Sequence, residues 1–269
     1  MQYETILLEK KDHVAKLTLN RPDVLNAINK QMFADLNAGL QDVADDPDSW
    51  VLVLTGAGRA FCASADIKEE RQGDGDRFAP HPTTYGSFEF IRANPQQITL
   101  KIHQMRKPTI AMVNGLAVGD GFDWVLACDI RIGSEKARFM NAFLQMGLVS
   151  NTGGTWLYPR TMGLNKAFEL LYTGDWLSGE DAHAMGILNR LVSAESLDDE
   201  TMALARKIAS KAPIANKLVK EMVYQGLGQN LEEHLLSAAY AEAFTITTED
   251  HREALAAFLE KRDANFKGE

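Results

Sequence analysis

Two short runs of largely apolar residues limit what this chain can fold into more than any other feature. Residues 51–54 read VLVL, and residues 109–113, directly after Pro108, read TIAMV. A strand with one face in water alternates apolar and polar residues, whereas an unbroken apolar run is typical of a strand buried on both faces. Such strands belong to parallel sheets that helices cover on both sides, so the two runs predict an α/β fold.

Strand and helix patterns alternate over the first two-thirds of the chain. Residues 6–8 and 14–19 have β character and predict a hairpin. Apolar residues at helical spacing predict helices over 30–44, 85–105 and 122–128. This alternation is the order of elements that an α/β architecture requires.

Beyond about residue 195 the apolar spacing is helical only. Helices are predicted over residues 198–211, 214–226, 231–244 and 248–262. The chain is therefore predicted to divide into a core over residues 1–195, which binds the ligand and carries the chemistry, and a C-terminal helical region over residues 196–269.

Charge and composition argue against several classes of protein. The net charge is −9 and no Lys/Arg cluster is present, so no nucleic-acid partner is predicted. No stretch approaches the roughly 18–20 uninterrupted apolar residues of a membrane helix, and residues 1–11 lack a signal core. We therefore expect a cytoplasmic protein with no membrane partner. The two cysteines and six histidines form no cluster with metal-ligand spacing, so no metal site is predicted.

A turn of small residues follows each of the two buried strands. The turns cover residues 56–67 and 114–121. Small side chains let a ligand approach the backbone closely. Two such turns side by side can direct two backbone N–H groups at one oxygen atom, which is the arrangement of an oxyanion hole. The alternative is that the glycines only shape turns after strands.

Several short motifs, in this order and spacing, resemble those of the crotonase (enoyl-CoA hydratase/isomerase) superfamily. They are Asn20-Arg21-Pro22, Leu25-Asn26-Ala27, Thr55-Gly56-Ala57-Gly58-Arg59-Ala60-Phe61, Ala65-Asp66-Ile67, Lys107-Pro108, Asn114-Gly115, Ala127-Cys128-Asp129-Ile130, Gly153-Gly154-Thr155 and Ala257-Phe258-Leu259-Glu260-Lys261-Arg262. The resemblance extends over essentially the whole chain. It implies a spiral of ββα units with a C-terminal helical trimerisation region, and a homotrimer or a dimer of trimers.

The resemblance also implies a substrate and its contacts. The substrate would be an acyl-CoA thioester, with no separate cofactor because coenzyme A is part of the substrate. The oxyanion donors would be the backbone N–H groups of Ala65 and Asp120, although the family often has glycine at the second position. A carboxylate there would repel an enolate, so the Asp120 side chain is expected to point away or to hold a partner. The CoA-binding positions would be Leu25, Ala27, Ala63, Ile67, Lys68 and Lys261.

The acid–base group is the point at which this chain departs most from its relatives. Relatives that hydrate usually hold a water molecule between two glutamates, and those positions are here Asp123 and Phe143. Some isomerases and aryl-CoA relatives have an aspartate about eight residues further on, where this chain has Asn151. An amide can orient water but cannot act as a base near neutral pH. Asp123 is therefore the predicted base, with its pKa raised if the pocket is apolar.

Three other side chains remain candidates for acid–base work. Asp120 is the second candidate, and His103 and Glu89 lie on the preceding predicted helix. Phe143 is assigned to the acyl pocket, where an aromatic ring makes the pocket drier and suits a cyclic or aryl acyl group. The alternative for Phe143 is a side chain that only fills the core.

The sequence leaves three functions open. The first is an enoyl-CoA hydratase or double-bond isomerase that works through an enolate held in the oxyanion hole. The second is a CoA-ester hydrolase or a carbon–carbon-cleaving relative that uses the same hole. The third is a CoA-binding paralogue without catalysis, which the missing glutamates favour and the small-residue turns do not.

Overall fold

The computed structural model describes residues 3–67 and 83–269, in which the strands form two sheets. The larger sheet has six strands in the order β1-β2-β3-β5-β7-β10. These are β1 (Ile6–Lys11), β2 (Val14–Leu19), β3 (Val51–Gly56), β5 (Thr109–Val113), β7 (Ile130–Ser134) and β10 (Arg190–Val192). The smaller sheet has the order β4-β6-β8-β9, made of β4 (Ala60–Cys62), β6 (Leu116–Val118), β8 (Arg138–Met140) and β9 (Leu177–Ser178).

The chain passes repeatedly from the larger sheet to the smaller one. Strands β3, β5 and β7 are each followed, after a short turn, by β4, β6 and β8 of the other sheet. The pairs β3·β5, β5·β7, β4·β6 and β6·β8 are all parallel, so each pair of strands is one step of a spiral. The predicted α/β spiral of ββα units is confirmed, and the predicted hairpin is the antiparallel pair β1·β2.

Eleven helices of the described residues surround the sheets or follow them. They are α1 (Lys30–Asp45), α2 (Thr84–Ala93), α3 (Pro95–Gln104), α4 (Asp120–Ala127), α5 (Gly154–Met162), α6 (Leu164–Thr173), α7 (Gly179–Ala184), α8 (Leu197–Ala209), α9 (Pro213–Gly226), α10 (Leu231–Thr245) and α11 (Glu249–Glu260). None of them is both long and apolar enough to cross a membrane. The cytoplasmic location stays a prediction.

The single helix predicted over residues 85–105 is wrong, because the chain breaks there into α2 and α3. Asn94 has the non-helical angles φ −119° and ψ −83°, and Pro95 is the first residue of α3. A proline has no N–H for the preceding turn, and its ring disfavours helical angles at the residue before it. Pro95 therefore starts a new helix instead of continuing the old one.

The two runs of apolar residues are buried on both faces, as predicted. Every residue of β3 and β5 is buried. Successive side chains of a strand point to opposite faces. On one face, Val51, Val53 and Ile110 pack with Leu197 and Ala205 of α8. The alternate residues of both strands point into the larger core cluster on the other face, which includes α1 and α4.

A fully buried asparagine joins the loop after β2 to the turn after β3. The Asn26 amide donates hydrogen bonds to the carbonyls of Ala57, at 2.9 Å, and Ala60, at 2.8 Å, and its oxygen accepts the N–H of Arg21 at 2.9 Å. A Cβ at Gly56 would lie 2.7 Å from the Asn26 amide nitrogen and 2.3 Å from the Ala60 carbonyl oxygen, so only glycine fits beside it. This contact explains the asparagine of the Leu25-Asn26-Ala27 motif and the first glycine of the motif at residues 55–61.

The C-terminal helical region is confirmed, and it leaves large apolar side chains uncovered in a single chain. Helix α10 has no buried residue. Its Leu235, Leu236, Tyr240 and Phe244 are between 57% and 71% exposed, and Phe258 of α11 is 82% exposed. The boundary between residues 195 and 196 stays a prediction.

Replacing Asn26 with Ala is expected to lower the free energy of unfolding by about 2–4 kcal/mol. The Ala57 carbonyl loses its side-chain donor and the Arg21 N–H loses its acceptor, at about 1–3 kcal/mol for each group left unpaired, whereas the Ala60 carbonyl keeps the Asn114 amide as a donor. Urea unfolding followed by circular dichroism measures this loss. The matched control is Asn37→Ala, which removes one amide bond to the Phe33 carbonyl within α1. The control should cost less than about 1.5 kcal/mol, and equal losses in the two variants would contradict the role of Asn26.

Candidate active site

The two small-residue turns lie against each other, as predicted. A Cβ at Gly121 would lie 2.6 Å from the Cys62 carbonyl oxygen, and one at Gly119 would lie 2.6 Å from the Ser64 Oγ. Gly119 also has a φ of 52°, which side chains other than glycine rarely adopt. Glycine at these two positions therefore lets the turn before α4 reach the turn after β4.

Ala65 and Asp120 are the residues that follow the two sides of this contact, Ser64 and Gly119. Ile28 and Ala65 form an isolated parallel bridge. In this bridge Ile28 donates its N–H to the Ser64 carbonyl and accepts the Asp66 N–H, so the Ala65 N–H takes no part in the bonding. The Asp120 N–H is 3.4 Å from the Ser64 Oγ, a long hydrogen bond. Both predicted oxyanion donors thus belong to residues that lie beside the Ser64 hydroxyl.

The Asp120 carboxylate holds two hydroxyl groups, in agreement with the expectation that it has a partner. Ser64 Oγ donates to Oδ2 at 3.0 Å, and Thr152 Oγ1 lies 3.1 Å from Oδ1. Asp120 is 0% exposed. The sequence pattern did not single out Ser64, because its only distinguishing feature there is a hydroxyl group in a turn of small residues. In the structure it also has a φ of 69°.

The Asp123 carboxylate is also 0% exposed, and its two oxygens differ in their hydrogen bonds. Oδ2 accepts hydrogen bonds from Ser150 Oγ at 2.6 Å, Thr152 Oγ1 at 2.6 Å and the Gly154 N–H at 3.1 Å. Oδ1 is buried without a hydrogen-bond partner among the described residues. An unpaired buried carboxylate oxygen is costly to the fold, and such atoms are typical of groups that serve a ligand or a reaction.

Burial raises the pKa of Asp123 to about 7, although the bonds from Ser150 and Thr152 lower it; the nearby Asp120 raises it further. A group with a pKa near neutrality can both accept and return a proton at physiological pH. A Cβ at position 154 would lie 2.7 Å from Asp123 Oδ1 and 2.6 Å from Ser150 Oγ, so a larger residue would displace the carboxylate or its hydroxyl partner. The Gly153-Gly154 motif thus brings a backbone donor to the carboxylate.

Phe143 and Asn151 lie on the chain segment between β8 and α5. Phe143 is 7% exposed, and its ring is near Gly119. It lines an apolar cavity of about 280 Å³ together with Val149, Ser150 and side chains of α5 and α6. The Asn151 Oδ1 is buried without a partner in the described part of the chain, and no bond links it to Asp123. Its predicted role in orienting water stays a prediction.

The proposed CoA contacts near the N-terminus are neighbours. The Leu25 carbonyl accepts the Ala63 N–H at 3.0 Å. The Ala27 carbonyl accepts a hydrogen bond from Arg21, which pairs with Asp66 at 3.0 Å. Ile67, next to Asp66, is 39% exposed. These bonds hold the 25–27 loop against residues 63–67.

Of the two lysines of the predicted CoA site, only Lys261 is among the described residues. Lys68 lies outside the described residues. Lys261 is exposed and ends α11, with its N–H bonded to the carbonyls of Ala257 and Phe258. Their contacts with coenzyme A stay predictions.

Neither of the remaining acid–base candidates is bonded to Asp123. His103 packs between the rings of Trp156 and Tyr224, and burial lowers its pKa. Glu89 is exposed on α2, near Arg92. Sequence reasoning missed Ser150 and Thr152, and the only signal for them was a pair of hydroxyl residues flanking Asn151.

Replacing Asp123 with Asn is expected to make the protein progressively more stable than wild type as pH rises. The folded-state pKa of about 7 lies above the roughly 3.9 of an unfolded Asp. Below pH ~4 the carboxyl is protonated in both states, and its ionisation opposes folding increasingly up to about pH 7. The pH-dependent part of the difference should reach about 4 kcal/mol in urea unfolding between pH 4 and 8. Asp175→Asn, at an exposed position, is the control, and a parallel pH dependence in both variants would contradict the burial effect.

Comparison with known proteins places this chain in one family. The profile of the enoyl-CoA hydratase/isomerase family matches residues 9–269. The chain is 35% identical to a crotonyl-CoA hydratase of Syntrophomonas wolfei over 99% of both chains, and 36% identical to the 1,2-epoxyphenylacetyl-CoA isomerase of Escherichia coli over 98% and 99% of the two chains. A crystal structure of an enoyl-CoA hydratase from Bacillus anthracis superposes with a TM-score of 0.89 at 33% identity, over 99% of this chain and 100% of that one. The chain therefore belongs to the enoyl-CoA hydratase/isomerase (crotonase) family and is an enzyme of the hydratase or isomerase type.

Proposed function

We propose that this enzyme hydrates the double bond of an enoyl-CoA thioester, or shifts it, through an enolate. The observation that carries the proposal is the buried Asp123 carboxylate, with a pKa of about 7 and an oxygen without a partner among the described residues, beside the turns that carry the N–H groups of Ala65 and Asp120. A proton acceptor and an oxyanion hole are the two devices that enolate chemistry needs. The names of the two curated relatives, a hydratase and an isomerase, support the same pair of reactions.

The proposed oxyanion hole consists of the backbone N–H groups of Ala65 and Asp120. In the complex, the thioester oxygen takes the place of the Ser64 Oγ as the acceptor of the Asp120 N–H, whose bond to Ser64 is long. Each such donor is typically worth about 2.7–4 kcal/mol of transition-state stabilisation. The Asp120 carboxylate accepts from Ser64 and Thr152, and these two donors reduce its repulsion of the enolate.

Asp123 is the proposed proton carrier, and its free Oδ1 is the atom that takes the proton. In hydration, Oδ1 accepts a proton from the water that attacks C3 and then delivers that proton to C2 of the enolate. In isomerisation, the same oxygen carries a proton between C2 and C4. One carboxylate is sufficient for either reaction, so its presence does not choose between them. Asn151 is proposed to help position the water.

The acyl group is proposed to be apolar and to suit an aromatic lining. Phe143 stands where hydrating relatives have a glutamate, and the cavity that it lines is bounded by Phe168, Tyr172 and aliphatic side chains. A cyclic or aryl acyl group can stack on such rings. Coenzyme A is proposed to contact Leu25, Ala27, Ala63 and Ile67, with Lys68 and Lys261 as partners of its phosphates.

The proposal is tested by incubating the purified protein with straight-chain, branched, cyclic and aryl enoyl-CoA thioesters, followed by ultraviolet absorbance and mass spectrometry. A product heavier by one water, or one with a shifted double bond, is expected. Asp123→Asn should lower kcat by at least about 10²-fold, the usual worth of a positioned acid or base. Glu89→Gln, an exposed carboxylate on α2, should stay within about twofold of wild type.

Other outcomes would redirect the assignment. Release of free thiol and a carboxylic acid would favour the hydrolase reading. Binding of CoA esters without turnover of any of them would favour a binding protein. Equal activity of wild type and Asp123→Asn would reject Asp123 as the base.

We also propose that the chain forms a homotrimer or a dimer of trimers through its C-terminal helices. The support is the number of large apolar side chains that α10 and α11 expose, since exposed apolar surface is typical of interfaces. Light scattering after size exclusion should give three or six times the chain mass of 29.8 kDa. Leu236→Glu should dissociate the assembly while Glu232→Gln on the same helix should not, and a monomeric wild type would contradict the proposal.

A further inference from the structure

We propose that Asp120 and Asp123 act as one acid–base unit, in which Thr152 is a positioning residue that shares its single hydroxyl proton between them. The inference rests on the proposed function, because it concerns how the enolate is formed beside a second carboxylate. It explains why a carboxylate at position 120, next to the oxyanion donors, is compatible with that chemistry.

The geometry around Thr152 is the first step. Its hydroxyl oxygen lies 2.6 Å from Asp123 Oδ2 and 3.1 Å from Asp120 Oδ1, and the residue is 1% exposed. A hydroxyl group has one proton and can donate it to only one carboxylate at a time. When Asp123 is ionised, the shorter distance favours donation to Asp123.

Protonation of Asp123 reverses this arrangement. Once Oδ1 carries the proton, Asp123 Oδ2 is a neutral carbonyl oxygen and a weaker acceptor than the charged Asp120 carboxylate, so the Thr152 proton turns to Asp120. Asp120 then accepts from both Thr152 and Ser64. The bond that Thr152 donates therefore passes from one carboxylate to the other as the first gains its proton.

This exchange coincides with the formation of the enolate. Asp123 gains a proton at the moment when negative charge develops on the thioester oxygen beside the Asp120 N–H. Asp120 gains a second donor in the same step, so its charge is better compensated when it would repel the enolate most. Thr152 thus lowers the cost of the Asp120 charge specifically in the transition state.

Other groups around the pair keep fixed roles during this step. Ser150 donates to Asp123 Oδ2, and the Gly154 N–H is shared between that oxygen, at 3.1 Å, and the Ser150 Oγ, at 2.8 Å. Tyr158 of α5 stays neutral, because burial and the nearby Asp123 raise its pKa well above the usual value. Ser64 donates to the far oxygen of Asp120. Among the hydrogen-bonding groups described, Thr152 alone bonds to both carboxylates.

A double-mutant cycle on kcat tests the coupling. Thr152→Val should lower kcat by about 10- to 100-fold, the range for a hydrogen bond to a charged group. In an Asp120→Asn background, where no charge needs compensation, the same change should cost less than about threefold. Thr152→Ser should keep most of the activity, because it retains the hydroxyl. If Thr152→Val fails to fold, Thr152→Ala removes the same hydroxyl and takes its place in the cycle.

Ser150→Ala is the matched control, because it removes a donor to the same Asp123 oxygen without touching Asp120. Its effect should be the same with Asp or Asn at position 120. Independent, additive effects of Thr152→Val and Asp120→Asn, or no rescue by Thr152→Ser, would overturn the proposal.

A second measurement separates this proposal from the proposed function. In wild-type protein labelled with ¹³C at aspartate carboxyls, the Asp120 resonance should show an inflection at the Asp123 titration, which NMR follows between pH 5 and 9. Thr152→Val should remove most of that inflection, whereas Ser150→Ala should retain it. An unchanged inflection in Thr152→Val rejects the shared proton, even if no enoyl-CoA is turned over.

Discussion

The close contact of two backbone turns is the constraint on which the rest of the site depends. Gly119 and Gly121 let the turn before α4 approach Ser64 and Cys62 to distances that no Cβ permits. Asn26, fully buried, holds the first of these turns from the other side through the Ala57 and Ala60 carbonyls. Because both turns follow buried parallel strands, the sheet fixes the separation of the backbone donors that they carry.

The burial of two carboxylates in one small volume is the main electrostatic feature of the site. Removing a carboxylate from water opposes its ionisation, and this moves Asp123 to a pKa near neutrality. The hydroxyl groups of Ser64, Ser150 and Thr152 supply the hydrogen bonds that water would otherwise provide. The same burial lowers the stability of the folded protein. This is common in active sites, where groups with shifted pKa values serve the reaction and not the fold.

Much of the fold and part of the site could be predicted because they depend on local patterns. Unbroken apolar runs gave β3 and β5, helical spacing gave the C-terminal helices, and small residues gave the two turns. Pro95 is also visible in the sequence, but the helical spacing of apolar residues on both sides of it favoured a single helix, and that prediction is wrong. The position of Asp123 in a family motif identifies it as the candidate base. The sequence does not show whether its pocket is apolar, so its burial and raised pKa could not be predicted outright.

The sequence by itself determined the alternation of strands and helices, the glycine-containing turns and the identity of the carboxyl group at position 123, because these follow from backbone sterics and from residue type. Only the tertiary structure decided that Thr152, which follows Asp123 by 29 residues, lies between two aspartates, and that Ser64 meets Asp120 from 56 residues away. The physical reason is that hydrogen bonds between distant segments depend on the packing of sheets and helices to within a few tenths of an ångström, which no local pattern records.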